Sequence, residues 1–312
     1  MRLLKNVFVC TLLLFVTSAV FAQTRAQRIL NELNNPNSKY VIVAAHRGDW
    51  RNFPENSLEG YESAIRMGVD IVEIDVRRTA DGELIICHDA TINRTTSGKG
   101  RVDELTLKQI RKCCLRAGHG IKMKRYKVPT LDEVLDLCKD RILINIDKGY
   151  DYYDEIMPKL IKRNMVNQVI IKSKVQPEDV IKKYASYKEN MLYMPIIDYT
   201  KKKWSEASPL FDSYLKGNCP LVAYEICWNG TMPNVGKVFK KVLDSKAHLW
   251  VNTMWASLCG GDDNAFEDDR AIYGNEDAVY GPLLEMGATM FQTDRPAMLI
   301  GYLEGKGRHT LR

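Results

Sequence analysis

Short apolar runs and longer amphipathic stretches alternate along almost the whole chain. The apolar runs fall at 40–45, 69–76, 141–146, 168–171, 191–197, 221–226, 249–253 and 289–293. Between them, apolar positions recur at helical spacing over 57–67, 131–139, 153–163, 177–187 and 235–245. A short run that is apolar on both faces reads as a strand of a parallel sheet, and each amphipathic stretch as a crossover helix covering it. Eight such strands predict an α/β fold closed into a TIM-type (β/α)₈ barrel, a size that suits 312 residues with no internal repeat or long linker.

One run breaks the alternation. Residues 83–88 follow the second strand after only Thr79-Ala80-Asp81-Gly82, too short for a parallel crossover, and Asp-Gly is a tight-turn signal. The segment is expected to fold back as a hairpin. Pairing Arg78 with Glu83 then sets Glu73 opposite His88, with Asp75 on the same face. A long, mostly polar insertion follows at about 90–128, with a helical stretch near 107–115. At the end of a strand unit, such a segment is expected to form a lid over the barrel mouth.

The N-terminus adds a leader. Arg2 and Lys5 precede the apolar run 7–16, and Ala22 ends a small-residue cleavage signal before Gln23. Residues 1–22 therefore read as a secretory signal peptide, and 23–312 as a single barrel domain of a periplasmic or secreted protein. No later segment has the length and apolarity of a membrane span, so no stable membrane anchor is expected. Beyond the leader the chain has seven cysteines, an odd number with no zinc-ligand spacing, and no disulfide framework is expected. The net charge of +6 is modest and spread out, and Lys201-Lys202-Lys203 reads as a solvated face. Nucleic acid is excluded as a partner on that ground. Oligomeric state is not legible in the pattern.

Chemistry in a parallel barrel gathers at the C-terminal ends of strands. The first predicted strand ends at His46-Arg47, the second carries Glu73 and Asp75, and the hairpin returns His88-Asp89. The third ends at Asp147 and the fourth at Lys172, with Asp198, Glu225, Asn252 and Trp255 at later strand ends. Carboxylates on the core face of a central strand cost several kcal/mol of desolvation unless a cation or strong donors compensate. Glu73, Asp75 and Asp147 together predict a hard divalent cation on oxygen ligands. With Arg47 on non-bridging oxygens and two histidines exchanging protons, the set suits phosphodiester hydrolysis.

In order, His46-Arg47-Gly48, Pro54-Glu55-Asn56-Ser57, Gly68-Val69-Asp70-Ile71-Val72-Glu73-Ile74-Asp75-Val76, Thr79-Ala80-Asp81-Gly82 and His88-Asp89 resemble the glycerophosphodiester phosphodiesterase family, in particular its secreted bacterial members. Arg94-Thr95-Thr96, Pro129-Thr130-Leu131-Asp132-Glu133-Val134-Leu135 and Thr293-Asp294-Arg295-Pro296 extend the likeness over nearly the whole mature chain. The resemblance implies His46 and His88 as the acid–base pair, Arg47 on phosphate and Glu55 as an active-site hydrogen-bonding group. It implies Glu73 and Asp75 as ligands of one Ca²⁺ or Mg²⁺, and a small-molecule glycerophosphodiester as substrate.

Two departures stand out. The family places a glutamate on the third strand with a lysine two residues on; here Asp147 and Gly149 hold those positions. Strand alternation puts Lys148 on the other face. Lys172 is therefore the expected substitute on phosphate, and Gly149 a candidate for positive φ. Competing readings are a cyclising phosphodiester lyase of sphingomyelinase D type on the same fold and a non-catalytic binding barrel. His119 and the acidic segment 262–269 are read as non-catalytic, the latter as a solvated loop lacking calcium-loop spacing.

Overall fold

The computed structural model describes residues 23–35, 37–118, 120–200, 204–230, 235–261 and 265–311. Residues 1–22, His119 and the basic run 201–203 lie outside the described residues. The chain opens with α1 (Arg25–Leu33), followed by β1 (Ile42–Ala45), α2 (Leu58–Met67), β2 (Ile71–Arg78) and the hairpin strand β3 (Leu84–Ile86). The insertion holds α3 (Leu107–Ile110), β4 (Leu115–Arg116) and β5 (Lys122–Met123). The barrel resumes with α4 (Leu131–Cys138), β6 (Leu143–Asp147), α5 (Tyr153–Arg163), β7 (Val169–Ser173), α6 (Pro177–Tyr184), β8 (Leu192–Asp198) and α7 (Trp204–Lys216). It closes with β9 (Ala223–Cys227), α8 (Val235–Asp244), β10 (His248–Asn252), α9 (Asp268–Tyr273), α10 (Glu276–Glu285), β11 (Met290–Thr293) and α11 (Pro296–Gly305).

Eight parallel strands pair in the order β1, β2, β6, β7, β8, β9, β10, β11, and β11 returns to β1, as the alternating pattern predicts. Helix boundaries follow local chemistry. Ser57 caps α2 by accepting from the Gly60 N–H, and Gly68 ends it in the left-handed region at φ 91°. Thr130 and Glu133 form a capping box on α4. No described helix is long and apolar enough to cross a membrane.

The inward positions of the strands change character along the barrel axis. Ile42, Ala44, Ile71, Leu143, Ile170, Met194, Ala223, Trp250 and Met290 form one apolar cluster that Ala26, Ile29 and Leu33 of α1 plug from below. Each fully buried aliphatic side chain there contributes about 1.5–3 kcal/mol. Toward the strands' C-terminal ends the inward side chains become polar, with Glu73, Lys172, Glu225, Asn252 and Gln292 buried there, so the chemistry of the barrel interior gathers at that end. The plug helix is absent from the predicted elements, although Ala26, Ile29 and Leu33 recur at helical spacing behind a Thr24–Gln27 capping box.

Arg25 fastens the plug. Its guanidinium donates to the carbonyls of Gly68 (2.6 Å), Val69 (2.7 Å) and Arg141 (3.2 Å) and to Asp70 Oδ1 (3.2 Å). Buried Asp70 also accepts from the Tyr40 hydroxyl and the Val43 N–H. Arg25→Ala should therefore lower stability by about 2–3 kcal/mol, the scale of hydrogen bonds to a charged group. A urea midpoint unchanged from wild type would refute this.

Two local expectations need correction. The hairpin pairs Arg78 with Leu84 and Val76 with Ile86, one residue out of the predicted register. The Thr79 N–H donates to the Glu83 carbonyl, and Gly82 sits at φ 84°, so the loop is Ala80-Asp81-Gly82 with a glycine bulge. Glu73 is therefore not opposite His88. The helical stretch near 107–115 shrinks to the single turn of α3, because Leu115 leaves it to pair in β4.

Candidate active site

At the end of β1 the chain turns through left-handed backbone at two successive residues, φ 53° at Arg47 and 77° at Gly48. Glycine is required at the second, where a Cβ would lie 2.9 Å from Tyr61 Cδ1. The turn aims the Arg47 N–H at Glu73 Oε2 (3.0 Å). The Arg47 guanidinium donates to Glu55 Oε1 (3.0 Å) and lies 3.5 Å from Asp75 Oδ2. Asn56 donates to Asp75 Oδ2 at 3.0 Å and accepts from the Tyr61 hydroxyl at 2.7 Å.

Glu73 and Asp75 are alternate residues of β2, and parallel register sets Asp75 beside Asp147 of β6. One carboxylate oxygen from each of Glu73, Asp75 and Asp147 lies within 4.8 Å of the others. Burial and then the charge of Asp75 push the Glu73 carboxyl up from its ordinary value. Burial pushes Asp75 up as well, but Lys148, His88 and Arg47 outweigh it and hold that carboxyl well below the usual range. Crowded carboxylates offering only oxygen donors fit a hard divalent cation. Glu55 stands apart from them, on Arg47 and Arg94.

Lys148 departs from the expectation. Strand alternation ends at Asp147, and left-handed backbone at Lys148 (φ 62°) swings the side chain into the site. Its ammonium donates to Asp75 Oδ1 (3.0 Å) and Asp147 Oδ2 (3.2 Å). The positive φ thus belongs to Lys148 and not to Gly149. Gly149 is small for a packing reason: a Cβ there would meet Ile171 Cγ2 at 2.9 Å and Ile146 Cβ at 3.0 Å.

Lys172 is buried, 3.3 Å from Glu225 Oε2 and 3.9 Å from Asp147 Oδ1. Burial disfavours its charge, but Glu225, Asp147 and Glu73 outweigh it and hold its pKa above the ordinary lysine value. Glu225 Oε1 accepts from Asn252 Nδ2 (2.8 Å), whose Oδ1 accepts from Trp250 Nε1 and Gln292 Nε2. Glu225 and Asn252 therefore form the floor of the site. Asp198 is engaged by Lys174 and Thr200. Trp255, 40% exposed, meets the His46 ring edge-on with centroids 5.3 Å apart.

Both histidines are paired with a carboxylate. Buried His46 Nδ1 lies 2.8 Å from Asp294 Oδ1, which also accepts from Trp50 Nε1 at 2.6 Å. The Asp294 N–H donates to Asp268 Oδ2 (2.8 Å). Asp268 belongs to the segment read as a solvated loop, yet it is fully buried and accepts from the hydroxyls of Thr253, Thr293 and Tyr280. Burial pushes its carboxyl up to about 6. Asp262 and its two successors lie outside the described residues.

More exposed His88 places Nδ1 2.8 Å from Asp89 Oδ1. Arg94, from the insertion, bridges Asp89 and Glu55 with two contacts to each. It holds the Asp89 carboxyl well below the ordinary range. The fold therefore gathers all eight predicted residues, His46, Arg47, Glu55, Glu73, Asp75, His88, Asp147 and Lys172, at one barrel mouth. Asn56, Arg94 and Asp294 are added to them, each inside a quoted motif but without an assigned task, and so is Lys148.

A family model described as the glycerophosphoryl diester phosphodiesterase family matches residues 46–209, just over half of the chain. The chain belongs to this family. A second model, described only as a domain of unknown function, matches residues 193–303. A glycerophosphodiester phosphodiesterase of Caldanaerobacter subterraneus subsp. tengcongensis is 41% identical over 140 residues, 43% of this chain and 58% of that relative. The chain thus aligns with little more than half the length of this relative.

Solved structures of glycerophosphodiester phosphodiesterase relatives share the fold. A glycerophosphoryl diester phosphodiesterase from Parabacteroides distasonis superposes with a TM-score of 0.70 at 18% identity, over 89% of this chain and 92% of that one. A phosphodiesterase from Oleispira antarctica, solved in complex with the product sn-glycerol-3-phosphate, gives a TM-score of 0.61 at 18% identity, over 86% and 99%.

Proposed function

We propose that the chain hydrolyses glycerophosphodiesters to glycerol phosphate and an alcohol, using one Ca²⁺ or Mg²⁺ held by Glu73, Asp75 and Asp147. The observation that carries this reading is the meeting of two histidine–carboxylate pairs and Arg47 with the three-carboxylate cluster at one mouth. With each Nδ1 engaged by a carboxylate, Nε2 of His46 and of His88 is left for proton transfer. One removes a proton from the attacking water and the other returns one to the leaving alkoxide. Arg47, oriented by Glu55, which Arg94 holds in turn, neutralises non-bridging oxygens together with Lys172. When bound, the cation supplies Lewis-acid charge neutralisation at phosphate.

Family membership supports the reaction class, and the product named for the Oleispira antarctica structure supports glycerol phosphate. The test is a cation-dependent product assay over a glycerophosphodiester panel, read by phosphorus NMR. Glycerol phosphate and free alcohol are expected. A cyclic phosphate would point to attack by a substrate hydroxyl, and no product from any diester would overturn the reading. The leader at 1–22 supports export to the periplasm or beyond, with Gln23 as the expected mature N-terminus.

Lys172→Met should lower kcat and kcat/KM together by about 10²-fold while cation content is unchanged, the signature of a contact made mainly in the transition state. Unchanged kinetics would remove Lys172 from phosphate and leave Lys148 as the site's working lysine. Gly149→Lys is not a usable rescue, because Ile146 and Ile171 leave no room for its Cβ.

A further inference from the structure

The insertion between β3 and α4 carries a charge imbalance of which the site engages Arg94. Residues 90–128 hold eleven Lys and Arg against two Asp and Glu, whereas the rest of the chain holds 34 against 37. These charges stand on an ordered platform, since Ile92, Val102, Ile110 and Leu115 pack with Ile85 and Val128 into a small separate core. Arg94, Arg101 and Arg111 are engaged by carboxylates. Lys99, Lys108, Lys112, Lys122, Lys124 and Arg125 are exposed and appear in no ion pair among the described residues.

Three of these six lie on β5 or directly after it. The turn of the same hairpin carries Ile121, 62% exposed, the most exposed large aliphatic side chain among the described residues. The hairpin stands at the mouth of the site. A Cβ on Gly118 would lie 3.6 Å from the Trp50 ring, and the Trp50 indole N–H bonds the carboxylate that holds His46.

We propose that the β4–β5 hairpin docks the barrel mouth on an anionic phospholipid surface. Lys122, Lys124 and Arg125 meet headgroup phosphates, and Ile121 enters the interfacial layer. A soluble polyanion would use the cations alone and leave the isoleucine in water. The isoleucine decides for lipid. Docking is measured without turnover, so it stands or falls separately from the glycerophosphodiester reading.

The experiment is cosedimentation of the mature chain with vesicles of phosphatidylglycerol in phosphatidylcholine, and with phosphatidylcholine alone. Binding is expected only to the anionic vesicles and should weaken with added salt. Joint Lys122→Gln, Lys124→Gln and Arg125→Gln should weaken it by about 10²-fold, since each cation near an anionic surface is worth about fivefold. Ile121→Ser should weaken it by about tenfold at unchanged charge. Thermal melting and turnover of a soluble diester should match wild type in both variants, which separates lost docking from misfolding. Failure of the wild type to bind anionic vesicles, or binding that neither variant changes, would overturn the proposal. So would heparin binding that is indifferent to Ile121→Ser while vesicles are ignored, which identifies a polyanion face.

Discussion

Removing divalent cations should abolish turnover, and Ca²⁺ or Mg²⁺ should restore it. Glu73, Asp75 and Asp147 bring three acidic groups within 4.8 Å of one another, and two of them are almost wholly buried. Lys148 and Arg47 compensate Asp75, but Glu73 is left with its carboxyl pushed up by burial and by Asp75. A carboxyl whose folded pKa lies above its unfolded one contributes its stability in full below the unfolded value, near 4.5, and loses it as pH rises through the folded value. Cation-free protein should therefore lose stability as pH rises above about 4.5 from this group. Added cation should restore it, most strongly at the higher pH, because the ligand must be deprotonated to bind. Thermal melts with and without Ca²⁺ across pH read this directly. Full turnover by rigorously cation-free enzyme, or melts indifferent to cation, would remove the ion from the mechanism.

His46→Ala and His88→Ala should each lower kcat by about 10²–10⁴-fold, the usual contribution of a positioned acid or base, with KM changing far less. The two sites differ in their surroundings. His46 is buried against Asp294, which Trp50 and the Asp268 carboxylate fix in turn. His88 is 39% exposed, and its Asp89 is shared with Arg94. Loss of His46 also takes a partner from buried Asp294, which Trp50 and Arg51 still hold, whereas His88→Ala removes a ring at the solvent edge. Asp294→Asn tests positioning separately: it should lower kcat less than His46→Ala and alter the pH profile of kcat/KM. Near-normal kcat in either alanine variant would take that histidine out of the reaction.

What the sequence determined by itself is whatever repeats along one strand or helix. Apolar runs alternating with amphipathic stretches are enough for the barrel, because each strand and its covering helix bury matched faces whatever the later chain does. The same period of two sets Glu73 and Asp75 on one face of β2, and the strand ends supply His46, Asp147 and Lys172. The helix at Arg25–Leu33 is missing from that reading, although its Thr24–Gln27 cap and the spacing of Ala26, Ile29 and Leu33 carry the signal.

Tertiary structure alone decided the rest. Hairpin register turned on a glycine bulge at Gly82, one residue that pattern cannot count. Lys148 entered the site because its backbone is left-handed, at φ 62°, just past the end of β6, where alternation no longer applies. His46 and Asp294 are 248 residues apart in sequence and meet because β11 pairs with β1 to close the barrel. Arg94 joins Glu55 to Asp89 only once the insertion folds back over the hairpin. Such contacts depend on closure and on single backbone torsions, and neither leaves a periodic trace along the chain.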